Sequence, residues 1–327
     1  MKAFAYVNPA NEKDAVAALA GQAGQAMPIG GGQDLLARMK DYITQPDRIV
    51  NVKNALDSTT KSVNRGLQIG AAMKMVDVAE HPDILRLYPA IAAAAIEVGT
   101  PQIRNQGTVG GNLNQRPRCW YFRNEEFNCL KKGGSTCFSI TGENQFNAIL
   151  GGGPSFIVHP SSLAVPMLAY GASFRIIGPK GERTVPASEY FILPRVNVRK
   201  ENVLEPDELL THAILPAPGN IKSGHYEVRY KTSHDWPIAF ATVLLTMNGN
   251  AVRSARVVMG AVAPIPWRST AAEQALAGKP VNEQTAAAAA EAALKDARPL
   301  GQNAYKVQVA KTAVQRAILR AAGIAVA

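Results

Sequence analysis

The chain has 327 residues, 47% of them hydrophobic and 18% charged, with a formal net charge of +10. That balance predicts buried cores split over two or three domains and excludes an intrinsically disordered chain. No apolar run approaches the roughly 18–20 residues of a membrane span, so no span is expected. The opening MKAFAYVNPANEKDAV reaches Asn, Pro and Glu before a secretory leader can form. With no targeting signal expected, a periplasmic location would need co-export with a partner; otherwise the chain is cytoplasmic. The positive charge suits an acidic partner surface. No helix-turn-helix, zinc-finger or RNP pattern occurs, so nucleic acid is not the expected partner.

In chain order, EKDAVAALAG has helical spacing at Ala15, Val16 and Leu19, and AMPIGGG reads as a strand entering a turn. DLLARMK opens a helix with Asp34 as its N-cap, and DRIVNV is a strand. LQIGAAM is a further strand, and DILRLYPAIAAAAIEVG one buried helix closed by Gly99. SFRIIGPKGERTV is a hairpin turning at Gly178–Gly181. The Pro- and Gly-containing stretch Ile214–Gly224 is the linker, followed by three strands, HYEVRYK, IAFATVLLTM and AVRSARVVMG, the last two joined through Asn248–Gly249–Asn250. The remainder is helical. Its last helix has an apolar stripe at Val307, Ala310, Val314, Ala317 and Ile318, with Lys306, Lys311, Arg316 and Arg320 as its charged residues.

Two glycine turns stand out. Gly30, Gly31 and Gly32 lie between a strand and a helix start, where residues without Cβ let backbone N–H groups approach an anion such as a pyrophosphate. Leu35 stands where the third glycine of a dinucleotide fingerprint belongs, and no Gly-Lys-Ser/Thr follows, so neither standard phosphate motif is matched. Thr108, Gly110, Gly111 and Asn112 form a second polar turn, and together the two could clamp one dinucleotide. The three cysteines, Cys119, Cys129 and Cys137, fall within nineteen residues, too clustered for a disulfide framework and suggestive of metal binding. Their C-x9-C-x7-C spacing fits no common zinc pattern, and buried uncoordinated thiols are the third possibility. The five histidines show no H-x-H or H-E-x-x-H arrangement, and no Ser/His/Asp set suggests hydrolysis.

PIGGGQDLLARMK, VGTPQIRNQGTVGGNLNQ, HPSSLAVPMLAYGA and YKTSHDWPIAFATV occur in an order and at distances that resemble the FAD-binding medium subunits of molybdenum hydroxylases. The resemblance covers essentially the whole chain. It implies an α+β protein: a vanillyl-alcohol-oxidase (PCMH)-type FAD domain over 1–215, in parts 1–55 and 56–215. A C-terminal CO-dehydrogenase-flavoprotein-like domain would follow over 222–327, a three-stranded antiparallel sheet with a helical bundle. Ile29, Gly30, Gly31, Gly32, Gln33, Asp34, Leu35 and Leu36 would hold the pyrophosphate of a non-covalent FAD. Thr108, Gly110, Gly111 and Asn112 would form the second wall, with Leu210 and Lys231 flanking the flavin. His159 would pack nearby. Ser162 stands where many members carry an Asp that hydrogen-bonds the cofactor.

A subset of the family binds a [4Fe–4S] cluster in an added loop, which here would be about 116–150. Cys119, Cys129 and Cys137 resemble three of its ligands, and Ser155 stands at the fourth position. Arg116, Arg118, Arg123, Lys131 and Lys132 would stabilise the negative cluster. The resemblance further implies a large molybdopterin-binding subunit, a small [2Fe–2S] subunit and an external electron acceptor, with substrate oxidised on another chain. The alternatives are a stand-alone FAD-dependent oxidoreductase and a basic Fe–S or zinc protein that binds nucleic acid.

Overall fold

The computed structural model describes residues 1–231 and 234–326. The chain begins as a small α/β unit: β1 (Ala5–Val7), α1 (Glu12–Leu19), β2 (Ala26–Ile29), α2 (Leu35–Lys40) and β3 (Arg48–Asn51). The strands run parallel in the order β1-β3-β2, as helical crossovers require. Successive residues of central β3 face opposite sides. Val50 joins the cluster containing Ala15, Val16 and Leu19 of α1, whereas Ile49 packs with Leu35 and Met39 of α2.

A second unit is built on an antiparallel sheet in the order β4-β5-β8-β6-β7. Its members are β4 (Thr60–Val63), β5 (Gly66–Gly70), β6 (Ser173–Gly178), β7 (Gly181–Pro186) and β8 (Leu209–Leu215). Between β5 and β6 come α3 (Met75–Glu80), α4 (Pro82–Leu87), α5 (Pro89–Ile96), α6 (Pro101–Gln106), α7 (Val109–Leu113), α8 (Trp120–Arg123) and α9 (Ala164–Tyr170). The single helix expected over DILRLYPAIAAAAIEVG is in fact two. Pro89 disfavours helical backbone at the residue before it, and Tyr88 sits at φ −136°, ψ 53°. Tyr88 is fully buried and its hydroxyl donates to Pro216 O at 2.7 Å. After β7, the short α10 (Ala187–Tyr190) packs beside α9 and β7.

The third unit is a sheet of order β12-β11-β10-β9, from β9 (Lys222–Val228), β10 (Ala239–Asn248), β11 (Ala251–Gly260) and β12 (Trp267–Arg268). The two-residue β12 adds a fourth strand to the three anticipated. The helices α11 (Thr270–Leu276), α12 (Glu283–Leu294) and α13 (Tyr305–Ala322) cover it, burying Ala310, Val314, Ala317 and Ile318 of the expected stripe. Lys306 departs from the expectation of a charged outer face. It is 1% exposed, and its Nζ donates to the carbonyls of Phe146, Asn147 and Ala261 at 2.9, 3.1 and 2.7 Å. No helix among the described residues is long and apolar enough to cross a membrane.

Candidate cofactor site

The first glycine turn follows β2, and the second becomes the start of α7, so β2 and α7 meet through glycine. Thr108 caps α7, its Oγ1 accepting from Gly111 N at 3.1 Å. A Cβ on Gly31 would fall 2.0 Å from Gln106 O, and one on Gly30 would fall 2.6 Å from Thr108 Oγ1. The two turns thus touch, backbone against backbone, and side chains at these positions would hold them apart.

Their polar groups divide the work unequally. In α7 the N–H groups of Val109, Gly110 and Asn112 already donate to Met73 O, Ala71 O and Thr108 O. In the first turn, no partner among the described residues accepts from the N–H groups of Gly30, Gly31, Gly32 or Gln33. With Gly32 in the left-handed region at φ +74°, this run has the character of an anion-binding nest. Gly110 has another role: its missing Cβ lies 3.1 Å from Ala71 Cβ, permitting α7 to sit on that segment.

A cavity of about 500 Å³ opens along these turns. Ile29 through Leu35, Thr108, Gly110, Gly111, Asn112, Ser162 and Leu210 all line it. Leu36 and Lys231 do not: the Leu36 side chain packs over Gly32, and Lys231 is exposed, its N–H donating to Asp235 Oδ2 at 3.2 Å. The following Thr232 and Ser233 of the YKTS motif lie outside the described residues. Asn112 serves the wall indirectly. Its Oδ1 accepts from Ser161 Oγ at 2.7 Å and Leu163 N at 3.3 Å, tying the HPSS segment to α7. Val98, Ile103, Leu204 and Leu209 add apolar side chains to the cavity lining.

Arginines are the wall residues that sequence reading did not place here. Asp34 occupies the N-cap position of α2 but makes no side-chain cap bond, contrary to expectation. Its carboxylate instead accepts from Arg38 Nε at 3.0 Å and from Arg118 and Arg123 at 2.5 Å each. Burial alone would raise the Asp34 pKa; Arg38, Arg118 and Arg123 outweigh it and hold the carboxyl below its ordinary range. Burial pushes Arg38 and Arg118 down to about 10, so both stay charged at neutral pH. Three guanidiniums against one carboxylate leave a local surplus of two positive charges. The Nε atom of Arg118, which with Arg116 also lines the cavity, is buried without a hydrogen-bond partner among the described residues. A run of free N–H groups, a cationic wall and apolar side chains in the same lining fit a dinucleotide with a planar ring system.

The loop of residues 116–150 is pinned at both sides. Arg118 and Arg123 reach Asp34, while Lys131 pairs with Glu201 at 2.6 Å and Arg116 pairs with the same carboxylate. These cations therefore serve protein carboxylates, and Lys132 serves the Asn124 carbonyl, in place of the expected thiolates. Cys119 stands at the N-cap position of α8 without a side-chain cap bond, and burial pushes its thiol pKa up. Cys129 is buried, and Cys137 Sγ lies 3.1 Å from Ser139 Oγ. Ser155 is buried. Among the described residues no group of three or more His, Cys, Asp or Glu is placed to hold a metal ion. The ligand set implied by the resemblance is thus not gathered here.

Comparison with known proteins places this geometry. The family model described as the FAD binding domain in molybdopterin dehydrogenase matches residues 2–218. That of the CO dehydrogenase flavoprotein C-terminal domain matches 224–321. The chain belongs to the FAD-binding subunits of molybdenum hydroxylases. It is 32% identical to the aldehyde oxidoreductase FAD-binding subunit PaoB of Escherichia coli K12, over 95% of this chain and 96% of that one. It is 27% identical to the carbon monoxide dehydrogenase medium chain of Hydrogenophaga pseudoflava, over 96% of each. A solved structure of carbon monoxide dehydrogenase from H. pseudoflava superimposes with a TM-score of 0.76 at 26% identity, covering 98% of this chain and 97% of that one. The chain is an FAD-binding, electron-transferring subunit of an oxidoreductase, and such relatives are single chains of multi-subunit complexes.

Proposed function

We propose that the cavity between the two glycine turns holds one non-covalent FAD, with its pyrophosphate on the N–H groups of Gly30–Gln33. The supporting observation is that run of free donors beside the surplus charge of Arg38, Arg118 and Arg123. The planar ring then belongs against the apolar lining of Leu204, Leu209 and Leu210. Ser162, 7% exposed in the cavity wall, offers the cofactor a neutral hydroxyl. Bound there, FAD supplies the two-electron chemistry, and the chain's own residues hold and orient it.

The partners under this reading are a large molybdopterin-binding subunit, where an aldehyde or aromatic heterocycle is oxidised, and a small [2Fe–2S] subunit. The absorption spectrum and heat-released flavin of the purified protein test it: about one FAD per chain, free without proteolysis, on material that brings a large subunit with it. Folded protein without flavin sinks the site. A flavinylated chain that turns over substrate alone favours a stand-alone flavoenzyme.

The narrower expectation of a [4Fe–4S] cluster rests on three thiols in one loop, two of them drawn together where Cys129 bridges to Thr136 beside Cys137. No electron step is derived through it. Iron beyond the small subunit's complement, lost in Cys119→Ala, supports the cluster; its absence removes it.

A further inference from the structure

A second cavity, of about 200 Å³, shares Arg118, Pro160, Asp235, Trp236 and Pro237 with the first, so the two are separated by a single wall. Its mouth is aromatic. Trp120 and Phe146 meet edge to face at 5.8 Å between centroids, and Phe146 meets Tyr230 at 6.2 Å. Trp120, Tyr230 and Trp236 are at least half exposed, a concentration of apolar rings that a lone surface does not need. The Arg118 guanidinium lies over Trp236 at 4.8 Å.

Glu143, Gln145, Asn147 and Asp235 bring acceptors to the lining, but its buried atoms left without a partner are donors. His159 is 3% exposed, and its Nδ1 accepts from Ser161 N at 3.3 Å, which places the ring proton on Nε2. That Nε2–H donor is buried with no partner among the described residues, and so is Nε of Arg118. Lys306, also in the lining, spends its donors on three carbonyls. An unpaired buried donor is costly unless something accepts from it. A cavity of roughly 150 Å³ already takes benzene, so this one has room for a small fused ring.

We propose that this cavity binds a planar aromatic carbonyl compound, of which quinones are the two-carbonyl case, its ring among Trp120, Phe146 and Trp236 and its oxygen accepting from His159 Nε2. The binding goes beyond the FAD assignment; only its placement beside a flavin rests on that reading.

Equilibrium dialysis of the purified protein, with whatever subunits accompany it, against 2,3-dimethyl-1,4-naphthoquinone tests the proposal. The methyl groups block addition of a thiol such as Cys119 to the ring. We expect one quinone per chain and binding of 2,3-dimethylnaphthalene about tenfold weaker or less, the worth of one hydrogen bond. His159→Asn keeps an acceptor for Ser161 N but loses the Nε2 donor, and should reduce the quinone to the hydrocarbon's affinity. His159→Gln, whose amide reaches the Nε2 position, should retain most of the preference. Trp120→Ala at the exposed mouth should weaken both ligands several-fold, and it remains informative if the His159 variants do not fold. Equal affinity for the two ligands overturns the proposal, as does a quinone preference untouched by His159→Asn. If Trp120→Ala instead detaches a subunit and no quinone binds, the patch is a protein interface and the proposal fails. Flavin measured in the same samples separates the two readings. Flavin at full content without quinone binding rejects this inference alone, whereas quinone binding without flavin rejects the FAD assignment alone.

Discussion

The carboxylate of Asp34 and the guanidinium of Arg123, 89 residues apart in the chain, meet at 2.5 Å. Through that contact the loop of residues 116–150 is fastened to the glycine turn that faces the cofactor cavity. Arg116 N adds a second tether, donating to Asp34 Oδ2 at 3.2 Å.

Asp34→Asn therefore leaves three guanidiniums with no anionic partner. Removing one side of a buried ion pair typically costs about 3–5 kcal/mol. Urea unfolding at pH 7 should show a loss of that order together with reduced flavin content. The folded-state pKa of Asp34 is depressed, so its contribution is present above the ordinary carboxylate pKa and is lost as pH falls through the folded value. The gap between wild type and variant should accordingly narrow below about pH 4. A gap independent of pH would mean that the charge of Asp34 is not what matters.

Gly31→Ala forces a Cβ to within 2.0 Å of Gln106 O, so the two turns must part. Flavin content should fall several-fold. Gly301→Ala, where a Cβ meets nothing within 4 Å, should leave it unchanged. Gly110→Ala presses on Ala71 at 3.1 Å and should act mildly by shifting α7, because its Cβ points at Ala71. Quantifying released FAD across the three variants gives the order; equal loss in Gly301→Ala would void the comparison.

Lys306→Met strips the Phe146 and Ala261 carbonyls of their Lys306 donor, while Asn147 O keeps Asn303 Nδ2 at 3.1 Å. At about 1–3 kcal/mol for each unpaired group, a loss of at least about 2 kcal/mol is expected in chemical denaturation. The same change removes the link between α13 and residues 146–147, so flavin loss should be secondary to instability. A variant as stable as wild type would show that the carbonyls find other partners.

His159 is held neutral: burial first, then the nearby Lys131 charge, push its pKa down to about 3. Its folded value lies below the unfolded one of about 6.5, so stability is fully present above pH 6.5 and is lost as pH falls toward 3. At about 1.4 kcal/mol per pH unit, the step from pH 7 to pH 5 should cost about 2 kcal/mol. Urea midpoints at the two pH values should show that step in wild type and a smaller one in His159→Gln. Equal steps would assign the acid sensitivity to other groups.

Local chemistry was readable from the chain itself. The spacing of Ala15, Val16 and Leu19 identified the buried face of α1, and the glycines at 30–32 and 110–111 marked two turns that do line one cavity. The break at Tyr88 was also readable, since Pro89 acts on its immediate neighbour, but an alanine-rich run obscured it. What the tertiary structure decided were pairings across distance. A capping pattern could not reveal that Asp34 turns from α2 to arginines of the 116–150 loop. Helical periodicity likewise put Lys306 among the charged residues, although three carbonyls from two other segments bury it. The reason is physical. Helix, strand and turn preferences depend on residues within a turn or so of one another. The worth of a buried charge depends on the partners the fold brings to it, and those lie tens of residues away.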